Sequence, residues 1–368
     1  MTQPSAPVPD ARPIARFSPT LVEAITSCAL KAAFSQDPAF RRLRRPTPSS
    51  LLGQAGHRLT EGAFRGRFDA DSAERLRRTL EGAWQAEVAT AAKELADAWT
   101  VAPPPPPRDW PGYELTHVRL IRRLARLVEQ RHGRASAPTA RSEPAVVTER
   151  ALEDPTTGLH GRPDRVERLN SRIRVVDLKA GWTQQPEIRA SQRRQLLLYA
   201  YLVYRDTDRW PDEIAIEDAS GRRATEPVDA EEATAALNQA VQAVRRFNSA
   251  LASGQSPIRL ATPSPESCRH CPFRAVCEPY WNAVRIDWPL LPSVLGEVIT
   301  TSPAFGQAQL AAVRPSYRAG STITVLGIGQ GGLPSPGVVV GVVDAYSTGQ
   351  DDALQARWAT QLEQWGGG

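Results

Sequence analysis

The chain has 368 residues, enough for two ordinary domains of about 100 to 200 residues or for one elaborate one. Its 45 basic against 40 acidic residues leave +5, which permits nucleic-acid binding without indicating it. No apolar run approaches the roughly 18 to 20 residues of a membrane span, and prolines and an acid stand where a secretory signal needs an apolar stretch, so a cytoplasmic protein without a membrane partner is expected.

Residues 1–16, rich in Pro, Ala and Ser, are expected to be a disordered tail. A mostly helical region follows over 17–135. Ser18 reads as the N-cap of one helix, LVEAITSCALKAAF, with Cys28 in its second half. After an Arg- and Pro-rich break, Ser49 or Ser50 caps LLGQAGHRLTEGAF, which contains His57. Between 70 and 100, Leu76, Leu80, Trp84, Val88, Ala91 and Leu95 recur at helical steps and give one apolar face. Five prolines, Pro103 to Pro107, end that helix, and helical periodicity resumes over 113–130.

A loop without periodicity, RHGRASAPTARSEP, leads into a β-patterned region. AVVTERAL, GRPDRVERL and SRIRVVDLK have the β-branched content of strands, with a turn at LNSR. A helix over 187–205, the strand EIAIEDAS and a helix over 229–253 complete an α/β core assigned to 136–284 with the cysteine-rich segment. Residues 285–350 carry short strands separated by Gly, Pro and Ser. They predict a small all-β barrel, OB-like or SH3-like, with the OB form preferred. Residues 351–368 are expected to be a tail with at most a short helix. There is no internal repeat.

Two groups of residues carry chemistry. Asp164 stands at the entry to one predicted strand, and Asp177 and Lys179 lie two residues apart on the next. Alternation puts Asp177 and Lys179 on the same face and Leu178 toward the core; a hairpin would bring Asp164 to join them. Two carboxylates offer the hard oxygen ligands that suit Mg2+ or Mn2+, and a lysine beside a bound water can orient it. Asp-x-Lys is also the pattern of a surface salt bridge. The chain holds only three lysines, Lys31, Lys93 and Lys179, so a lysine at this place points to a compact, tunable charge. None of the three follows glycine, which excludes an ordinary P-loop ATPase.

The second group is Cys28 with Cys268, Cys271 and Cys277, every cysteine in the chain. Four thiolates close a tetrahedral site for zinc or for an iron-sulfur centre, with His270 as an alternative zinc ligand. Spacing alone does not choose between the two.

GRPD, VVDLKAG and QLLLY, in that order, resemble the motifs of PD-(D/E)xK nucleases, in particular the RecB-like branch, over about residues 18–283. The resemblance implies a restriction-endonuclease-like mixed sheet flanked by helices. It implies Asp164, Asp177, His57 and the Leu178 carbonyl as metal ligands, Lys179 at the attacking water, and Gln195 and Tyr199 on a helix beside them. Glu149 takes the place of an acid on the preceding strand. One early cysteine and a later C-x2-C-x5-C resemble CRISPR-associated iron-sulfur exonucleases and AddB-type nuclease domains, implying a [4Fe-4S] cluster among Pro272, Phe273, Tyr280 and Trp281. Two departures stand: Ala180 where Thr or Ser is frequent, and no proline after Cys28.

The function implied is a Mg2+- or Mn2+-dependent DNA nuclease, an exonuclease on single-stranded ends, with a helicase or similar partner for any unwinding. Arg162, Arg165, Arg193 and Arg194 are candidates for phosphate contact. The alternatives are a DNA-binding or assembly subunit with weak or no chemistry, and a zinc-stapled interaction module.

Overall fold

Two short helices, α1 (Pro19–Ser27) and α2 (Ala29–Gln36), begin the helical region in the computed structural model, which describes residues 6–68, 70–135, 145–148, 150–169, 171–179 and 186–365. Ser18 caps α1 as expected, its hydroxyl accepting from the Leu21 N–H at 3.2 Å. The expected single helix is divided, because Cys28 has extended backbone (φ −165°, ψ 111°) and ends one helix while starting the next. α3 (Pro48–Phe64) starts at Thr47 and not at Ser49 or Ser50: Pro48 takes the first helical position, and Thr47 and Ser50 exchange side-chain to backbone bonds at 2.9 and 3.2 Å. The predicted apolar stripe is buried along α4 (Ala73–Ala98). It packs with α3 and α5 (Tyr113–Ala135) around Trp84, whose indole N–H donates to the Tyr113 hydroxyl at 3.3 Å.

The core is a mixed α/β arrangement. Its sheet contains β1 (Ala145–Thr148), β4 (Arg165–Leu169), β5 (Arg172–Lys179), β6 (Glu213–Asp218) and β7 (Arg223–Pro227), in the order β1-β4-β5-β6-β7. β4 and β5 form the expected antiparallel hairpin, with Arg165 opposite Val176. β5 and β6 run parallel, joined by α6 (Ala190–Thr207) as a parallel pair requires. Val166, Ile173, Val175, Ile214 and Ile216 bury one face against α1, α2, α6 and α7 (Ala230–Ala252). The break at Cys28 serves this packing: α1 lies on α6 and α7, and α2 turns toward the segment at Pro257–Leu260 that precedes the other cysteines. A separate hairpin, β2 (Leu152–Asp154) and β3 (Leu159–Gly161), has strands of three residues, too short to leave a periodic signal. Its turn is held by Asp154, which is buried and accepts from Thr156, Thr157 and Tyr201.

Part of the expected N-terminal tail is packed. Ile14 exchanges backbone bonds with the Asn248 side-chain amide at 2.7 and 2.9 Å, and buried Phe17 bridges to Leu159. After the cysteine-bearing helices α8 (Pro265–Arg269) and α9 (Glu278–Ala283) comes a β unit of β8 (Val294–Ser302), β9 (Gln307–Arg314), β10 (Thr322–Leu326), β11 (Val339–Val343), β12 (Tyr346–Ser347), β13 (Ala353–Gln355) and β14 (Gln361–Gln364). Its order is β12-β13-β10-β9-β8-β11-β14, seven strands where an OB barrel has five. The expected C-terminal tail therefore supplies two strands: β14 pairs with β11, and the Trp365 indole N–H reaches the Ala275 carbonyl at 2.9 Å. Gly341 allows this close approach, since a Cβ there would lie 2.1 Å from the same carbonyl oxygen. Buried Glu363 pairs with Arg42 and Arg45 and so ties the unit to the helical region. Among the described residues no helix is long and apolar enough to cross a membrane.

The second face of the core sheet is charged. Arg165, Glu167, Arg174, Glu213, Glu217 and Arg223 are cross-strand neighbours on it. Buried Glu217 accepts from Arg165 at 2.5 and 3.2 Å, from Arg223 at 2.5 Å, and from Arg123 of α5. Arg165 is fully buried and its guanidinium lies 5.0 Å from the ring of Phe64, at the end of α3. The α3–α5 helices thus dock on the sheet through paired charges, which fix a geometry more than they stabilise it. Burial alone would raise the Glu217 carboxyl, but Arg165, Arg123 and Arg223 hold it below the usual carboxylate range. Its contribution to stability is therefore present above the ordinary glutamate range and lost as pH falls. Glu217→Gln leaves three guanidiniums short of a carboxylate and is expected to lower urea stability at neutral pH by about 3 to 5 kcal/mol. A loss below about 1 kcal/mol, the worth of an exposed pair, would contradict this docking.

Candidate active site

The site lies at one end of the β4–β5 hairpin. Asp164 immediately precedes β4, and its Oδ2 accepts the Leu178 N–H at 2.6 Å, which fastens the carboxylate to the neighbouring strand. Asp177 is 5% exposed, and its Oδ2 lies 2.7 Å from Lys179 Nζ. That oxygen is buried, and among the described residues this ion pair is the one contact that meets it. From α3, His57 places Nε2 3.0 Å from the Leu178 carbonyl oxygen and Nδ1 3.5 Å from Asp164 Oδ1. Burial pushes the Asp164 carboxyl up to about 6; Asp177 adds to this, against His57, the Leu178 N–H and Lys179.

α6 closes the site from the apolar face of the sheet. Gln195 and Tyr199 lie one turn apart, with Gln195 Nε2 donating to the Tyr199 hydroxyl at 3.3 Å. Burial raises the Tyr199 hydroxyl above its ordinary value, against the Gln195 hydrogen bond, and the Asp164 and Asp177 carboxylates raise it further, which places the ring beside both acids. The glycine of GRPD is explained here: a Cβ on Gly161 would lie 2.6 Å from Tyr199 Cε1.

The expected residues His57, Asp164, Asp177, Leu178, Lys179, Gln195 and Tyr199 are thus brought together. Other expectations change. Leu178 does not enter the main core; it is half-buried and lines a small cavity with His57, Glu217 and Asp218. Arg165 is not available to phosphate, being buried against Glu217. Arg193 is held by Glu226 and Glu232 and Arg194 by Glu23, while Arg162 is exposed. Glu149 and Ala180 lie outside the described residues. Glu217, Arg123 and Asp218 were not anticipated, although EIAIED ends in acids and pairs in parallel with VVDLK, Lys179 lying opposite Asp218.

The donor set of this end suits a hard divalent ion. It offers two carboxylates, an imidazole and a backbone carbonyl, with one buried carboxylate oxygen facing the Lys179 ammonium. At the other end of the core, the extended Cys28 between α1 and α2 meets Cys268 and Cys271, at the end of α8 and just beyond it, and Cys277, at the start of α9. Cys268, Cys271 and Cys277 each interact electrostatically with Cys28. Burial pushes the Cys271 thiol up to about 11 and the Cys277 thiol well above its usual value. Phe273, Tyr280 and Trp281 are buried around them. Among the described residues no three of His, Cys, Asp and Glu stand, in their present positions, as a group that could hold a metal ion.

Comparison with curated proteins gives no match. The solved structure titled "Crystal structure of SSO0001" is 15% identical and covers 46% of this chain and 78% of its own, with a TM-score of 0.24. A family model for the PD-(D/E)XK nuclease superfamily matches residues 16–278, from the strand partner Phe17 to the last cysteine. That span contains Asp164, Asp177, Lys179 and the α6 pair, and the chain belongs to the PD-(D/E)XK nuclease superfamily.

Proposed function

We propose that the protein is a metal-dependent deoxyribonuclease, an exonuclease on single-stranded ends, with a structural [4Fe-4S] cluster. The observation that carries this reading is the convergence of Asp164, Asp177, Lys179 and His57 at one end of the β4–β5 hairpin. Asp164, Asp177, His57 and the Leu178 carbonyl would hold Mg2+ or Mn2+. Such an ion polarises a phosphodiester and lowers the pKa of a bound water. Lys179, held beside Asp177, would orient the attacking water and offset the negative charge that develops on the phosphoryl oxygens. Gln195 and Tyr199 bound the site on the α6 side and orient the strand. Cys28, Cys268, Cys271 and Cys277 would hold the cluster, joining the first helices to the segment that leads into the β unit. The buried thiols are costly to ionise alone, and thiolate ligation recovers that cost. Any duplex unwinding falls to a helicase or similar partner.

A cleavage assay on end-labelled single- and double-stranded DNA with Mg2+ or Mn2+ tests this directly. Lys179→Ala is expected to slow cleavage at least about 100-fold, as loss of a group that offsets charge in the transition state does. Iron and sulfide content after anaerobic purification should be unchanged. Equal cleavage by the variant would refute the mechanism, and a colourless, zinc-loaded protein would refute the cluster.

Below about pH 6 a bound cation would compete with a proton on Asp164. Apparent Mg2+ affinity should be flat above about pH 6 and weaken toward tenfold per pH unit below it. Because the folded pKa is raised, the metal-free protein loses stability as pH rises through about 6, and ion binding restores it there. Calorimetric Mg2+ titration across pH 4.5 to 8 measures the affinity, and thermal melting of the metal-free protein over the same range measures the stability; affinity that stays flat down to pH 4.5 would contradict the burial of Asp164.

A further inference from the structure

A cavity of about 210 Å³ opens where α1, α6 and α7 meet. Gln195 lies in its wall and also donates to the Tyr199 hydroxyl at 3.3 Å. One side chain thus belongs both to this cavity and to the group around Asp164 and Asp177, whose carboxylates act on Tyr199. The rest of the wall has two characters. Val22 of α1, Leu198 of α6, and Ala236 and Ala240 of α7 give it an aliphatic surface. Thr20, Ser191 and Gln239 are exposed at its edge, and their side chains make no hydrogen bond among the described residues. The charged groups that line it, Arg194 and Glu23, meet each other at 2.9 Å and tie α6 to α1.

Because its two charges are paired, the cavity has no net charge with which to select a phosphate or a carboxylate. An aliphatic ligand would leave the hydroxyls and amides unused, and a bare sugar would leave the aliphatic wall uncovered. A nucleobase brings both an apolar face and a hydrogen-bonding edge. At about 30 Å³ per water, the volume equals roughly seven waters, room for one base and not for a base pair. We infer that the cavity receives the unpaired base of a nucleotide beside the phosphate to be cleaved, its ring against the aliphatic wall and its edge toward the amides of Gln195 and Gln239. The inference rests on the nuclease reading and deepens it. A base in a duplex would first have to break its pairing and stacking to enter, so the cavity gives a physical reason for a preference for single strands.

Fluorescence anisotropy on the full chain in EDTA, where no cleavage occurs, tests it. The probes are short, internally labelled single-stranded DNA oligonucleotides that carry an ordinary or an abasic terminal nucleotide, at the 5′ end in one pair and the 3′ end in another. At one end the abasic form should bind at least about tenfold more weakly, through lost apolar burial and a lost hydrogen bond. Ala236→Phe fills the cavity and should lower binding of the ordinary oligonucleotide to the abasic level. Gln239→Ala, an exposed change expected to leave thermal melting unaltered, should narrow the difference and decides the matter if Ala236→Phe does not fold. Equal binding of ordinary and abasic forms at both ends, or a difference that neither variant reduces, would overturn the assignment. Mg2+-dependent cleavage measured in parallel separates the two readings. Cleavage without any effect of the base overturns the cavity assignment alone, and base-dependent binding without cleavage overturns the nuclease reading and leaves the cavity assignment standing.

Discussion

Asp164 and Asp177 carry like charge in a space largely closed to water, and the arrangement around them answers that repulsion. One response is geometric: the Leu178 N–H holds Asp164 in place at 2.6 Å, so the carboxylates cannot simply turn apart. The other is electrostatic, with Lys179 on one side and His57 on the other. Both leave the balance incomplete, since burial, with Asp177 adding to it, still pushes Asp164 up to about 6, and the buried Asp177 Oδ2 has only the Lys179 ion pair. A divalent cation completes that balance in a way no further side chain does.

The fold holds this strained group from three sides. The β4–β5 hairpin sets the separation of the acids, and α6 packs Tyr199 against the glycine of the same motif. The helices that bring His57 are docked through Glu217 and its three arginines, so a charged layer serves where an apolar one would be usual. That layer ties the position of α3 to the sheet register: Arg165 is the residue after Asp164, and its guanidinium covers Phe64 at the end of the helix carrying His57. The cysteines and Trp365 do the corresponding work at the far end, where first helices, core and β unit meet.

What was legible in the sequence depended on how local its cause was. Ser18, the apolar stripe from Leu76 to Leu95 and the alternation that pairs Asp177 with Lys179 are set by neighbours within a turn or a strand, and all stand in the structure. The break at Cys28 is set by packing against α6, α7 and Pro257–Leu260, which no local pattern encodes. β2, β3, β13 and β14 are too short for periodicity, and they exist because distant partners supply their hydrogen bonds. Arg165 read as a phosphate ligand because an arginine beside an active-site motif has the same appearance whether it faces solvent or a buried glutamate. Its partner lies on a strand 52 residues away.

The most direct measurement is Mn2+ binding followed by electron paramagnetic resonance at pH 7.5 in the wild-type protein and in Asp177→Asn, which keeps shape and removes charge. Saturable binding of at least one ion is expected in the wild type and its loss in the variant, with the fold of both unchanged by circular dichroism. Equal binding by the two proteins would mean that the paired carboxylates do not hold a cation.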